Sequence, residues 1–474
     1  MYLGIDIGTT RLKMNVVDTT GKILIEDSEK LVPSFGRNGE AEIDPLKWIN
    51  GIKKLLKKYD LKSIEAIGLS GQMHTLILLD RDFQPVRRAI LWADARGYEE
   101  VEFLSSSYSE SILRHCGSLP SNAFTLIKLM YLLKNEPQSI RNTYKFCLSK
   151  DFVGGWLTGN FNTDFTDASA TLMLDIQKRE WYWSLLEDLN IPKEIFPEIH
   201  GSLEIRGYLR ENVANYLGLR AGIPVVYGAG DQEAAAFGVG VTRPKDVMFS
   251  ISTGSQIVVP VAEMIIDSRI HNFRHVEGLH IMGAVQNAGL ALEWAVERFG
   301  FKDMDELTNE AFKSPVGANG VVFLPYITPE RTPVMKENIT CGIFGLKSGN
   351  SRADMARAIL EGITFCVYDA WKCVEEVLSL DDPEVVILGG VSKNPIIIDT
   401  LLNLMNANIK LLDENFDPSS FGAALMAGKV NEAFKNFNEI VGKRIVKTRV
   451  AHKKDEYFEK YENFLKVRKH ILDV

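Results

Sequence analysis

Cysteine is scarce in this chain and irregularly placed. There are five in 474 residues, Cys116, Cys147, Cys341, Cys366 and Cys373, an odd number with no C-x-x-C pair. That argues against a disulfide framework and a thiolate zinc site, and a reducing cytoplasm is the expected setting. Long apolar runs are missing too, since no stretch reaches the ~18 residues that a membrane span needs. Met1-Tyr2-Leu3-Gly4-Ile5-Asp6 runs straight into a strand-like pattern, with no basic leader and no small-residue cleavage site. A soluble, unprocessed protein is expected. No block of one charge sign appears, and 54 basic against 62 acidic residues leave a net charge of −8 at pH 7. Nucleic acid and anionic membrane are therefore not expected partners. Ser/Gly/Pro linkers and low-complexity tracts are absent as well, so the parts of the chain should be tightly joined.

What is present is an ordinary globular composition, 46% apolar and 24% charged, long enough for two or three domains at ~150 residues each. Tyr2 to Ile7, Leu12 to Asp18 and Ile23 to Ile25 read as a strand meander with a Thr20-Gly21 turn. A similar β-rich run broken by a Thr-Gly turn begins at Asp246, and Thr9 and Thr253 lie 244 residues apart, about half the chain. That spacing suggests a duplicated unit. Between these openings strands (Ile64 to Leu69, Ala89 to Trp92, Pro224 to Tyr227, Val321 to Leu324, Val385 to Leu388) alternate with helices (Trp48 to Tyr59, Thr125 to Lys134, Ala353 to Leu378). This is an α/β pattern. Ser351 with Asp354 forms a capping-box start, and Tyr457, Tyr461, Phe464 and Leu465 mark a docking helix over Asp455 to Ile471. The expected division is 1–240 and 241–474.

Several strand ends carry groups suited to chemistry. Asp6-Ile7-Gly8-Thr9-Thr10, followed by Lys13, sets a carboxylate before a glycine-opened turn whose amides can approach phosphate oxygens while Asp6 holds a metal ion. An ordinary hairpin has the same composition. Ser252-Thr253-Gly254-Ser255 repeats the device, and two such turns facing each other would clamp a polyphosphate. Gly228-Ala229-Gly230-Asp231-Gln232 follows a buried strand, where a base for a substrate hydroxyl could be built; a plain helix N-cap at Asp231 is the alternative. Gln72-Met73-His74 and Trp92-Ala93-Asp94 supply donors, acceptors and an apolar wall for a polyol. His271, His275 and His280 fit no metal-ligand spacing. Gly389-Gly390 with Asn394 ends a strand in a turn open enough for a nucleotide, or is a plain βα turn.

In their order these residues resemble the FGGY family of carbohydrate kinases over nearly the whole chain. The set is Gly4 to Thr10, Gly71-Gln72-Met73-His74, Trp92 to Arg96, Gly230-Asp231, Ser252-Thr253-Gly254, Phe323 to Tyr326 with Glu330-Arg331-Thr332-Pro333, Gly389-Gly390 with Asn394, and Gly422-Ala423-Ala424. Gln72-Met73-His74 is most similar to the xylulokinase branch, and Thr125 to Asn135 resembles a family signature with Tyr131 where Trp is usual. The resemblance implies two actin-like, ribonuclease-H-like α/β domains around a cleft, with ATP and Mg²⁺ used to phosphorylate a sugar. It implies Asp231 as catalytic base, Asp6 as the acid supporting Mg²⁺ with Asp231 beside it, and Gly8, Thr9, Thr10, Lys13, Thr253, Gly254, Gly289, Glu293, Gly389, Gly390 and Asn394 around the nucleotide. Gln72, Met73, His74, Trp92, Asp94, Asp231 and Gln232 would hold the sugar.

Some positions depart from the family pattern: Thr328-Pro329 stands where Ser-Gly is usual, Thr75 where Gly is common, and Asn287-Ala288-Gly289 resembles gluconate-type and heptulose-type relatives as much as pentulose ones. A ketopentose is the expected substrate, with gluconate or sedoheptulose as the alternative. A homodimer is the expected assembly. Two further classes remain, a non-catalytic nucleotide-dependent interaction protein on the same fold and a sugar sensor without transfer.

Overall fold

Two seven-stranded sheets organise the chain, each opening on the antiparallel meander expected from the alternation of apolar residues. The structure, a computed structural model, describes residues 1–336, 338–412, 416–434, 440 and 445–472. In the first sheet β1 (Tyr2–Ile7), β2 (Arg11–Val17), β3 (Ile23–Lys30), β4 (Ala66–Gly71), β5 (Ile205–Tyr208) and β6 (Pro224–Val226) run in the order β5-β6-β4-β1-β2-β3, and Ala229–Gly230 adds a short strand beside β4. The second holds β7 (Val247–Ile251), β8 (Ser255–Val261), β9 (His271–Arg274), β10 (Leu279–Val285), β11 (Glu384–Leu388), β12 (Ala407–Leu412) and β13 (Ile445–Ala451), in the order β9-β10-β8-β7-β11-β12-β13.

The two orders superimpose in kind. Three antiparallel strands (β3-β2-β1; β10-β8-β7) are followed by two parallel ones (β4, β6; β11, β12) and an antiparallel edge (β5; β13). This is a duplicated α/β architecture of the actin-like kind. β1 is buried along its whole length, as a central strand covered on both faces must be.

The long helix of the second half starts on a side-chain cap. Ser351 and Asp354 form a reciprocal capping box, and the helix they open, Arg352–Leu378, is largely buried against the second sheet. The helix expected from Trp48 to Tyr59 runs instead over Leu46–Leu56, because Pro45 can occupy the cap position and the chain past Leu56 tightens, Lys58 and Tyr59 bonding the carbonyls three residues back.

Helix Pro418–Val430 follows β12 of the second sheet yet packs on β1, β2 and β4 of the first. Its small residues make that approach possible. A Cβ on Gly4 would lie 1.9 Å from the Ser420 carbonyl oxygen, one on Gly68 would lie 1.9 Å from that of Ala423, and one on Gly422 would lie 1.8 Å from that of Ala234. The helix is capped by Asp417, whose carboxylate accepts from the Ser420 N–H at 2.9 Å, with Pro418 in the first helical position. Asn15 Nδ2 donates to Ser420 Oγ at 2.8 Å, stitching β2 to the same helix.

Candidate functional site

β1 ends in Asp6, and its parallel neighbour β4 brings Ser70 alongside. Ser70 Oγ donates to Asp6 Oδ1 at 3.0 Å. Across the β1–β2 turn Lys13 Nζ stands 3.4 Å from Asp6 Oδ2 and 2.7 Å from Asp417 Oδ1. Gly8 closes that turn, its N–H donating to the Arg11 carbonyl at 3.1 Å, and the Thr10 carbonyl accepts from Leu31 at 2.8 Å. Asp231 opens helix Asp231–Gly238, with Gly230 as its N-cap, so its side chain is not spent on capping. Ala229 and Gly230 pair with Ser70 and Gly71 of β4, which sets Asp231 beside the Asp6 end of the sheet.

The electrostatics follow from this crowding. Burial raises the Asp231 carboxyl to about 7, and the Asp6 charge adds to the rise while Lys13 opposes it. Asp6 is raised by burial and by Asp417 against the pull of Lys13. Lys13, held by two carboxylates, is raised well above the usual lysine range despite its burial.

The residues expected to hold a sugar lie at the same sheet edge. Gln72 Oε1 accepts from Thr9 Oγ1 at 2.8 Å, Trp92 Nε1 donates to Thr9 Oγ1 at 3.0 Å, and the half-exposed Trp92 indole flanks the turn. The buried Gln72 Nε2 and Gln232 Oε1 have no hydrogen-bond partner among the described residues. Met73 packs against Gly230. His74 adopts a left-handed backbone (φ 65°) and its Nδ1 bonds the Ala170 carbonyl. A carbonyl can only accept, so Nδ1 carries the proton; burial pushes the ring down to about 3, and Nε2 is left as an acceptor. Phe124 sits edge-on to that ring at 5.0 Å. The Phe124 loop is held in turn by buried Lys128, whose Nζ donates to the carbonyls of Asn122 (3.2 Å), Ala123 and Phe124 (3.3 Å). Asp94 is buried and saturated, accepting from the Ala41 N–H at 2.8 Å and from the Arg96 guanidinium at 2.7 Å.

In the second half a cavity of about 790 Å³ is lined by Thr253, Gly289, Glu293, Gly390 and Asn394, together with Ser252. The β7–β8 turn caps the following helix: the Ser252 and Thr253 carbonyls accept from the N–H groups of Gly289 and Leu290 at 2.9 and 2.8 Å. Gly254 and Gly389 do not line the cavity but pack its rim. A Cβ on Gly389, at φ 101°, would lie 2.3 Å from the Ile251 carbonyl oxygen. Asn394 caps helix Pro395–Leu404 through Oδ1 and reaches Thr308 Oγ1 through Nδ2 at 2.8 Å.

Sequence reasoning missed parts of both regions. Asp417, which pairs Lys13 from the other half, carries only the signal of an N-cap before Pro418. Met304, Asp305, Thr308, Asn309 and Phe312 complete the cavity wall from helix Met304–Ala311 and its end, and nothing in that amphipathic run announces a ligand. Glu233 and His280 meet across the halves, fully buried, with 3.4 Å between Nε2 and Oε1. His271 and His275 pack in the same β9–β10 region, where His271 faces Phe273 and His275 Nε2 donates to the Val241 carbonyl at 2.8 Å while its Nδ1 accepts from the Val276 N–H; among the described residues no cluster of three or more His, Cys, Asp or Glu groups forms a metal site.

Two sheets of one topology, a pocket behind one pair of β-turns and a raised carboxyl at the end of the other define a two-lobed phosphotransferase of the actin-like class. The comparisons agree. Models of the FGGY family of carbohydrate kinases match here, the N-terminal domain over residues 1–238 and the C-terminal domain over 249–430. The xylulose kinase of Staphylococcus xylosus is 31% identical, the match covering 99% of both chains. That of Escherichia coli (strain K12) is 32% identical over 83% of this chain and 82% of its own. The crystal structure of ligand-bound xylulose kinase from Lactobacillus acidophilus superposes with a TM-score of 0.92 at 25% identity, covering 99% of this chain and 98% of that one. The chain belongs to the FGGY family of carbohydrate kinases, and is an ATP-dependent sugar phosphotransferase. No helix among the described residues is long and apolar enough to cross a membrane.

Proposed function

We propose that the protein transfers the γ-phosphoryl group of ATP to a terminal primary hydroxyl of D-xylulose. In this reading residues 1–240 supply the sugar site and base, residues 241–474 supply the nucleotide site, and the cytoplasm is the working compartment. The observation that carries it is Asp231, a carboxyl raised to about 7, with Gln72 Nε2 and Gln232 Oε1 left without a partner among the described residues. A proton acceptor works best when its pKa lies near the operating pH.

Asp231 takes the proton of the sugar hydroxyl as its oxygen attacks the γ-phosphorus in line. Gln72 Nε2 donates to a sugar oxygen, Gln232 Oε1 and His74 Nε2 accept from sugar hydroxyls, and Met73 and Trp92 give the apolar wall. Thr9, Thr10 and Gly8 present their turn to the transferred phosphoryl group, with Lys13 opposing its charge. Thr253, Gly289, Glu293, Gly390 and Asn394 hold the rest of the nucleotide in the cavity, while Gly254 and Gly389 keep its rim close. Asp94, saturated by Arg96, orders the Trp92 loop.

Magnesium fits the donor set. Asp6, Asp231 and Asp417 are three carboxylates facing one ammonium group, and Mg²⁺ characteristically binds through one or two carboxylates plus phosphates and water. Asp6 and Asp231 would hold it or its water shell. Bound there it would neutralise phosphate charge. The same excess of negative charge disfavours an aldonate such as gluconate and favours an uncharged sugar.

The test is ADP release with D-xylulose, D-ribulose, sedoheptulose, gluconate and glycerol, ranked by kcat/KM. D-Xylulose should rank first. A higher rank for gluconate overturns the substrate assignment, and sugar-independent ADP release overturns the role of the pocket.

A further inference from the structure

A buried charge cluster lies directly behind the base. Lys150 Nζ stands 3.0 Å from Asp151, 2.7 Å from Asp164 and 2.9 Å from Asp167, and Arg206 meets Asp151 at 2.5 Å. All five side chains have zero exposure. Burying ions at this density costs free energy that hydrophobic residues of like volume would not, so the cluster calls for a reason beyond stability.

Its hydrogen bonds lead to the two segments that carry the proposed chemistry. Thr166 Oγ1 accepts the Gly230 N–H at 2.9 Å and donates to Asp164 Oδ2 at 2.7 Å. Ser202 Oγ donates to that same oxygen at 2.6 Å, and the other Asp164 oxygen receives Lys150. On the neighbouring residue Ser149 Oγ donates to the Gln72 carbonyl at 2.9 Å. The Lys150 backbone also lies against Gly71, where a Cβ would come within 3.2 Å of the Lys150 nitrogen. One rigid cluster therefore grips both Gly230, whose ψ of 157° aims Asp231, and the Gln72 strand end.

We infer that Thr166, held by Asp164 and Lys150, is a positioning residue for the proton acceptor: its hydroxyl fixes the Gly230 peptide and with it the direction of the Asp231 carboxylate. Thr166 touches no substrate. Its effect passes through the backbone, where a displacement near 1 Å at a reacting group can cost ~10²-fold in rate.

The inference rests on Asp231 being the base, so Asp231→Asn is assayed alongside. Thr166→Val keeps the shape and removes the hydroxyl. With the full chain, ATP, Mg²⁺ and D-xylulose, or the best sugar of the panel above, Thr166→Val should lower kcat about 10-fold or more, with sugar KM and ATP binding within about 3-fold. Thr166→Ser should restore kcat to within about 3-fold of wild type, which a filler of space would not do. Thr166→Val within 2-fold of wild-type kcat, whatever its melting temperature, overturns the inference; a fully active Asp231→Asn overturns the base assignment instead. Should Thr166→Val fail to fold, Ser202→Ala, which loosens Asp164 and leaves the Gly230 bond in place, should lower kcat about 3-fold, and an unchanged kcat there refutes the inference equally.

Discussion

Replacing Asp231 by asparagine should silence the enzyme and stabilise it at the same time. The carboxyl is raised from 3.8 to about 7 in the folded protein, first by burial and then by Asp6. For an acid raised in this way folding is penalised once the unfolded chain can ionise while the folded one resists, so the penalty is absent well below pH 3.8, grows between 3.8 and 7, and is constant above. With 1.36 kcal/mol per unit the ceiling is about 2 kcal/mol at pH 5 and about 4 kcal/mol at pH 8. Asparagine carries no charge and escapes it. Thermal melts of the apoprotein should show the variant ahead of wild type by a margin that widens from pH 5 to pH 8, with kcat lower by ~10² or more. Wild-type kcat/KM should also fall about tenfold per pH unit below 7. A margin that does not change with pH, or a variant less stable than wild type at pH 8, would refute the electrostatic account; retained turnover would refute the chemical one.

Other expectations follow from packing and pairing. Gly422→Ala places a methyl 1.8 Å from the Ala234 carbonyl oxygen and 3.1 Å from the Gly238 nitrogen; both obstacles are backbone, so a loss of about 3 kcal/mol is expected in denaturant titrations. Lys150→Met leaves Asp151 and Asp164 with less compensation and should cost about 3–5 kcal/mol by the same measurement, and a loss below about 1 would contradict the burial argument. Trp92→Phe removes the indole donor from Thr9, worth about 1 kcal/mol; sugar KM should rise about 5-fold with the ATP KM nearly unchanged, a split that steady-state kinetics resolves.

Much of this was open to reading because strand ends and turns are local. The β1–β2 hairpin is set by alternation and by Gly8, and the Ser351–Asp354 capping box by a spacing of three residues. The candidate pocket residues on the β7–β8 turn and after β11 were legible for the same reason. What stayed hidden depends on contacts far apart in the chain. Asp417 meets Lys13 across 404 residues, and no local pattern at either position records it. No local motif marks Lys150, Asp164 and Arg206, which only the fold buries together. Helix Met304–Ala311 looks like any amphipathic helix, and its cavity face exists only because Gly390 and Asn394 arrive opposite.

Helix Pro418–Val430 has an architectural consequence. The floor of one lobe is supplied by the other, through glycines fitted backbone to backbone, so the molecule cannot be divided at the seam its repeat suggests. A fragment ending near residue 240 would carry β1 and β4 with an apolar trough where Phe421, Ala423, Ala424 and Leu425 belong, and would invite aggregation. However the repeat arose, its copies now share a spine and must be made, folded and degraded as one.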